Sequence, residues 1–103
     1  MTSDNRIPQL TNYLRNEFSA TKIYLFGSRA KGTSRSDSDY DFVVVSTRND
    51  IDKWQAYEKA SKDIFETYGV QADVWVYSGT AFDELVKDFG SLPETAVNTG
   101  IEV

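Results

Sequence analysis

The feature that most constrains the fold of this chain is an apolar run that directly follows two aspartates. Asp39 and Asp41 lead directly into Phe-Val-Val-Val at residues 42–45. An unbroken run of β-branched and aromatic side chains is typical of a strand buried in a sheet. Aspartate is a poor strand residue, so two of them at the entry need a reason. On a strand, residues i and i+2 share a face and lie roughly 6.6 Å apart, which predicts two carboxylates that can bind one or two cations together.

The length of 103 residues predicts one small domain over residues 1–103, and hydrophobic spacing predicts its elements. Apolar residues recur at spacings of three and four from Ile7 to Phe18, as on one face of a helix. Residues 91–103 show no periodicity, which leaves open an ordered segment or a flexible, partner-binding tail. The predicted elements are a helix at 5–18, a strand at 22–26, an exposed loop at 28–38, a strand at 41–45, a helix at 50–68, a strand at 70–77 and a helix at 80–89. This order predicts an α/β (α+β) domain built on a small sheet.

Composition excludes several kinds of chemistry. The chain has no cysteine and no histidine, which excludes disulfides, thiolate or imidazole catalysis and metals held by these residues. Any metal must therefore have oxygen ligands, which favours Mg²⁺, Mn²⁺ or Ca²⁺. The formal net charge of −5 does not supply a broad basic surface, so no direct nucleic-acid binding is expected. No stretch resembles a signal peptide or a membrane span, so we expect a cytoplasmic protein without a membrane partner.

A glycine-serine pair ahead of the aspartates is a candidate anion site. Gly27 ends a predicted strand where the chain turns sharply, and Ser28 offers a hydroxyl and a backbone N–H to a phosphate. Arg29, Lys31 and Arg35 follow and would add positive charge around a polyphosphate. Gly-Ser is also a common turn pair, so this pair alone does not establish a phosphate site.

Asp73 is the third candidate carboxylate. It lies in the alternating segment from Val70 to Tyr77, on the same face as Trp75 and Tyr77. A buried aspartate must be paired or bound to metal, whereas one on an exposed edge strand needs neither. If this strand lies beside the one that follows Asp41, the three carboxylates form a cluster that is stable mainly around a cation.

Aromatic residues in the second predicted helix have a simpler interpretation. We expect Trp54, Tyr57 and Phe65 to pack in the core or with the helix rather than to form a base-stacking platform. Trp75 and Tyr77 are expected to pack on the sheet, although one of them could line a nucleotide pocket.

These residues together resemble the signature of a known family. Gly27-Ser28, ten further residues, Asp39-x-Asp41 and a later strand aspartate, Asp73, resemble the DNA polymerase β-type nucleotidyltransferase superfamily. More narrowly, the chain looks like the minimal nucleotidyltransferase (MNT) antitoxins, the partners of HEPN ribonuclease toxins. The resemblance implies a polymerase β-like fold, in which a small mixed β-sheet is flanked by helices.

The resemblance also implies roles for individual residues. Gly27 and Ser28, with Arg29 and Lys31, would bind the nucleotide phosphates. The metal ligands would be Asp39, Asp41 and Asp73, which would hold two Mg²⁺ ions (or Mn²⁺), and Asp73 would help to deprotonate the attacking hydroxyl. The implied reaction transfers AMP from ATP to a tyrosine hydroxyl of a cognate HEPN toxin, which neutralises the toxin and implies a hetero-oligomer with it.

Two other functions remain open from the sequence. The chain could be a catalytically inert nucleotide-binding module that neutralises its partner by forming a complex. Residues 83–103 hold five acidic residues against one lysine, a net charge of −4, and this acidic segment could contact a basic ribonuclease. A transferase that acts on a small molecule or on RNA ends is the third alternative.

Overall fold

The fold is built around an apolar central strand. The computed structural model describes residues 5–27, 30 and 39–103. The elements in these residues are α1 (Arg6–Phe18), β1 (Ala20–Phe26), β2 (Tyr40–Ser46), α2 (Lys53–Tyr68), β3 (Ala72–Ser78), α3 (Gly79–Leu85), α4 (Leu92–Thr99) and β4 (Ile101–Glu102). This order confirms the predicted α/β architecture, and the loop predicted at 28–38 lies outside the described residues apart from Ala30.

The four strands form one mixed sheet in the order β3-β2-β1-β4. β1 pairs antiparallel with β2 and with β4, whereas β3 pairs parallel with β2. Because β2 is an interior strand, both of its faces are covered, and Phe42, Val43 and Val44 are all fully buried. The unbroken apolar run in the sequence is therefore explained by burial on both faces.

The sheet has two faces with separate cores. On the first face, Phe42 and Val44 pack with the apolar side of α1 and with Ala60 and Ile64 of α2. On the second face, Val43 and Val45 pack with Phe82 of α3 and Ala96 of α4. Strand alternation places Asp41 on the second face, at the end of the sheet where β2 begins.

Side chains and one glycine set the ends of α2. The Asp52 carboxylate accepts hydrogen bonds from the backbone N–H groups of Trp54 and Gln55, each at 3.1 Å, which satisfies donors that the first turn leaves unpaired. Gly69 ends the helix in the left-handed region, with φ of 70°. The position of α2 against β3 matters for the site because α2 carries Tyr57.

Residues 91–103 form α4 and β4 instead of a tail. The Ser91 hydroxyl accepts from the Glu94 N–H at 3.2 Å and so caps α4. After the helix, the Val103 N–H donates to the Ile23 carbonyl at 2.9 Å beside β1. A helix of 8 residues followed by a strand of 2 residues is too short to give a periodic pattern in the sequence. Across the described part of the chain, no helix is both long and apolar enough to cross a bilayer.

Candidate functional site

Asp41 and Asp73 lie side by side on neighbouring strands. In the parallel pairing of β2 with β3, Asp41 is the register partner of Asp73. The sequence left open whether these two strands are neighbours, and their pairing brings the two carboxylates together. Asp39 stands one residue before β2, and its charge also reaches Asp41. Partial burial, together with the charges of Asp73 and Asp39, raises the pKa of Asp41 to about 6. Asp41 therefore lies within electrostatic range of both other carboxylates.

Gly27 lies directly against the Asp41 carboxylate. It follows β1 with a φ of +77°, and a Cβ atom built there would lie 2.5 Å from Asp41 Oδ2. A side chain at this position would displace the carboxylate, and the left-handed backbone would strain any L-residue. The glycine of the predicted anion site is therefore needed for the shape of the carboxylate site as well. Ser28, Arg29 and Lys31 lie outside the described residues.

Tyr57 is a site residue that sequence reasoning missed. Its hydroxyl donates a hydrogen bond to Asp73 Oδ1 at 2.6 Å, and that bond is the main reason why the pKa of Tyr57 is raised. Its ring stacks on Trp75, with centroids 4.7 Å apart and planes at 28°. The sequence contained no signal for this contact, because Tyr57 and Asp73 lie on different elements, 16 residues apart.

Of the two kinds of packing expected for the α2 aromatics, packing in the core does not hold for Trp54 and Phe65, whereas Trp54 does pack on the neighbouring rings of Tyr57 and Trp75. Trp54 is 62% exposed and Phe65 is 52% exposed, while Tyr57 is partly exposed. The buried residues of α2 are small or aliphatic: Ala56, Ala60 and Ile64. Helical spacing located the correct helix, but Trp54 and Tyr57 lie against Trp75 of the edge strand β3 and not in the core.

The exposed aromatics form a cluster that continues from Tyr57 along β3. The Trp54 ring meets Trp75 edge to face, with centroids 5.7 Å apart. Lys53 Nζ lies 5.8 Å from the Trp75 ring centroid and 5.6 Å from that of Tyr77, within the range of cation–π attraction. An open cleft of about 360 Å³ borders this cluster and is closed on its far side by residues of α3 and α4, among them Leu85, Leu92 and Pro93. Trp75 and Tyr77 thus pack on the sheet, as predicted, and also line this cleft.

The carboxylate site has the chemistry of a divalent-cation site. Carboxylate oxygens are the ligands that Mg²⁺ prefers, and a cation would relieve the mutual repulsion that raises the pKa of Asp41. The residues that could hold such an ion are Asp39, Asp41 and Asp73. Within the described residues, no three acidic side chains are already arranged around one ion position; Asp73 Oδ1 instead accepts the hydrogen bond from Tyr57.

Comparison with known proteins shows the family of this chain. A family model described as "Polymerase beta, Nucleotidyltransferase" matches residues 8–90, a range that includes Gly27, Asp39, Asp41 and Asp73. Because that match covers most of the chain, the protein belongs to the polymerase β nucleotidyltransferase family. The superfamily resemblance stated from the sequence is confirmed.

A solved structure shares the fold. A chain of the structure described as "Crystal structure of the toxin-antitoxin with AMP-PNP" superposes with a TM-score of 0.64 and 22% sequence identity, over 97% of this chain and 71% of that chain. At this identity the likeness establishes the fold. The search of curated proteins found no match.

Proposed function

We propose that this protein is a Mg²⁺-dependent nucleotidyltransferase antitoxin, which transfers AMP from ATP to a tyrosine hydroxyl of a cognate HEPN ribonuclease toxin. Family membership over residues 8–90 supports the reaction type. The structural neighbour described as a toxin-antitoxin with AMP-PNP supports an antitoxin role with a protein partner and an adenine nucleotide. The HEPN partner and the tyrosine acceptor come from the resemblance to MNT antitoxins.

One observation carries the proposal of activity. Asp41 and Asp73 are register partners, and partial burial together with the charges of Asp73 and Asp39 raises the pKa of Asp41. A purely structural sheet gains nothing from carboxylates that repel one another and is destabilised by them. The cluster is therefore explained by a cation and a substrate that it binds.

Each residue has a role in the proposed reaction. Gly27 leaves room for the Asp41 carboxylate and for the nucleotide phosphates, which Ser28, Arg29 and Lys31 help to bind. Asp39, Asp41 and Asp73 would hold two Mg²⁺ ions (or Mn²⁺), which when bound stabilise the entering and leaving oxygens. Asp73 accepts the proton of the acceptor hydroxyl. The acceptor oxygen then bonds to the α-phosphorus, the bond between the α-phosphorus and the bridging oxygen breaks, and pyrophosphate leaves.

The decisive experiment is intact-mass spectrometry of the HEPN-type partner after co-expression. The partner is compared after co-expression with the wild type and with the double variant Asp39→Asn/Asp41→Asn. The proposal predicts a mass increase of one or more AMP units with the wild type and none with the double variant.

The control separates transfer from binding. Both forms are tested for capture of the partner and for a matching circular dichroism spectrum, so that loss of transfer cannot be a loss of fold. An unmodified partner held equally well by both forms contradicts the proposal and supports the inert module that neutralises by complex formation. An unmodified partner beside a labelled RNA or small metabolite supports the third alternative.

A further inference from the structure

The hydrogen bond between Tyr57 and Asp73 is unusual because of what Asp73 is proposed to do. A carboxylate that receives the proton of the acceptor hydroxyl must lie within hydrogen-bond distance of that hydroxyl. Tyr57 Oη already lies 2.6 Å from Asp73 Oδ1, and it belongs to a tyrosine, the same chemical class as the proposed acceptor.

The Tyr57 hydroxyl is held at this position from two sides. The hydrogen bond fixes its oxygen, and the stack on Trp75, with centroids 4.7 Å apart, fixes its ring. Tyr57 and Asp73 are both partly exposed, so a nucleoside triphosphate bound beside Asp41 has access to both. The position of the hydroxyl is therefore both ordered and accessible.

We propose that Tyr57 is an internal acceptor: without its partner the protein transfers AMP to its own Tyr57 hydroxyl, and the partner's tyrosine must displace Tyr57 in order to react. This inference rests on the proposed nucleotidyltransferase function. The Tyr57 oxygen bonds to the α-phosphorus of ATP, pyrophosphate leaves, and the phenolic proton passes to Asp73. No reactant beyond ATP is needed.

A second tyrosine provides a matched control. Tyr13 Oη donates to Asp63 Oδ2, also at 2.6 Å, so it has the same donor, the same acceptor type and the same distance. Asp63, however, is paired with Lys59 Nζ at 3.0 Å and is not a register partner of another carboxylate. If a hydrogen bond to any aspartate sufficed for modification, Tyr13 would react as well.

The first test uses the purified full chain with ATP and Mn²⁺ and no partner. The wild type, Tyr57→Phe and Tyr13→Phe are incubated, digested with trypsin and analysed by mass spectrometry. Cleavage after Lys53 and Lys59 releases residues 54–59, in which Tyr57 is the sole tyrosine. We expect one AMP on this peptide in the wild type and in Tyr13→Phe, and no modified peptide in Tyr57→Phe. AMP on another tyrosine, or none on the wild type, overturns the inference.

The kinetics test whether the acceptor is internal. Because the oxygen and its carboxylate belong to one chain, the first-order rate constant of self-modification should not change over a tenfold range of protein concentration. A rate constant that rises in proportion to concentration shows transfer between molecules and overturns the internal geometry.

A measurement without nucleotide tests the same contact independently of activity. Removing the Tyr57 hydroxyl frees Asp73 Oδ1 for an ion, so Tyr57→Phe should bind Mn²⁺ about five- to tenfold more tightly, as detected by electron paramagnetic resonance of free Mn²⁺. Tyr13→Phe should bind Mn²⁺ as the wild type does. Equal affinities for wild type and Tyr57→Phe would mean that the hydroxyl is not bonded to the ion-binding carboxylate in solution, which overturns the inference.

A final comparison separates this inference from the proposed function. The wild type is also given its HEPN-type partner and ATP. Modification of the partner without any modification of Tyr57 in the partner-free reaction overturns the internal acceptor but leaves the proposed function intact. No AMP on either protein overturns both.

Discussion

Two tyrosine–aspartate hydrogen bonds of equal length lie in different electrostatic surroundings in this molecule. Tyr13 donates to Asp63 and Tyr57 donates to Asp73, each at 2.6 Å. Asp63 also accepts from Lys59, and these two donors lower its pKa. Asp73 lies opposite Asp41 instead, and within the described residues neither Asp41 nor Asp73 forms an ion pair.

The difference lies in the surrounding charge and not in the hydrogen bond. At the first pair, a lysine balances the carboxylate, so the pair connects α1 to α2 and needs no further group. At the second pair, partial burial and the charges of Asp73 and Asp39 raise the pKa of Asp41, and among the described residues no cation pairs with either carboxylate. A hydrogen-bonded carboxylate without such a cation is a stronger candidate for a functional site than one that a lysine balances.

The largest expected effect is on transfer when Asp73 loses its charge. Asp73→Asn removes the proposed proton acceptor and an ion ligand, so the initial rate of AMP transfer to the partner should fall about 10³-fold or more. The matched change Asp63→Asn should alter that rate less than about twofold. Rates are measured by the mass increase of the partner. Equal rates for the wild type and Asp73→Asn would contradict the distinction between the Tyr57–Asp73 and Tyr13–Asp63 pairs.

The second prediction concerns the glycine that lies against the site. Gly27→Ala places a Cβ 2.5 Å from Asp41 Oδ2 on a backbone with positive φ, so we expect transfer to fall about 10²-fold and stability to fall by about 2 kcal/mol. Gly69→Ala is the control, because Gly69 also has positive φ but has no atom within 4 Å of the added Cβ. It should cost about 1 kcal/mol and leave transfer unchanged. Urea unfolding and the partner assay measure both quantities.

The third prediction is that Asp41 and Asp63 make the stability of the protein depend on pH with opposite sign. The folded pKa of Asp41, about 6, lies above its ordinary value of 3.8, so the metal-free folded state binds the proton more tightly than the unfolded state does. The contribution of Asp41 to stability is therefore most favourable below pH 4 and is lost as the pH rises to about 6. Asp41→Asn should remove this dependence of stability on pH. Because Asp41 is partly exposed, the substitution should stabilise the protein by only about 1 kcal/mol at pH 7 in EDTA.

The stability contribution of Asp63 should depend on pH in the opposite direction. Its folded pKa is lowered by its bonds to Tyr13 and Lys59, so its contribution is present above the ordinary aspartate pKa and is lost as the pH falls below it. Thermal unfolding of wild type, Asp41→Asn and Asp63→Asn between pH 3 and 8, with EDTA throughout, measures both slopes. A wild-type slope that Asp41→Asn leaves unchanged contradicts the assignment.

The smallest effect is expected at Tyr13. Tyr13→Phe removes one hydrogen bond to a carboxylate on the surface, so stability should fall by about 1 kcal/mol at pH 7, with no change in transfer or in Mn²⁺ binding. Chemical denaturation and the partner assay suffice for this test. A strong loss of transfer in Tyr13→Phe would show that the two pairs are not functionally distinct.

Much of the fold followed from local patterns in the sequence. The apolar run after Asp41 predicted the central strand, and the spacing from Ile7 to Phe18 predicted α1 as the structure has it, to within one residue. The short elements α4 and β4 were not predicted, because their packing against β1 and not their own sequence pattern stabilises them.

The candidate site likewise has some features that local patterns predict and others that only the packing of elements decides. Strand alternation alone determined that Asp73 shares a face with Trp75, since the side-chain period of a strand is fixed by its backbone. The expectation that Asp39 and Asp41 share a strand face does not hold, because Asp39 stands one residue before β2. Which strands are neighbours, and therefore that Asp41 meets Asp73, was decided by the parallel pairing of β2 with β3. The contact of Tyr57 with Asp73 was decided by the packing of α2 over the edge of the sheet. Such contacts depend on long-range packing between elements, and a local periodicity carries no information about them.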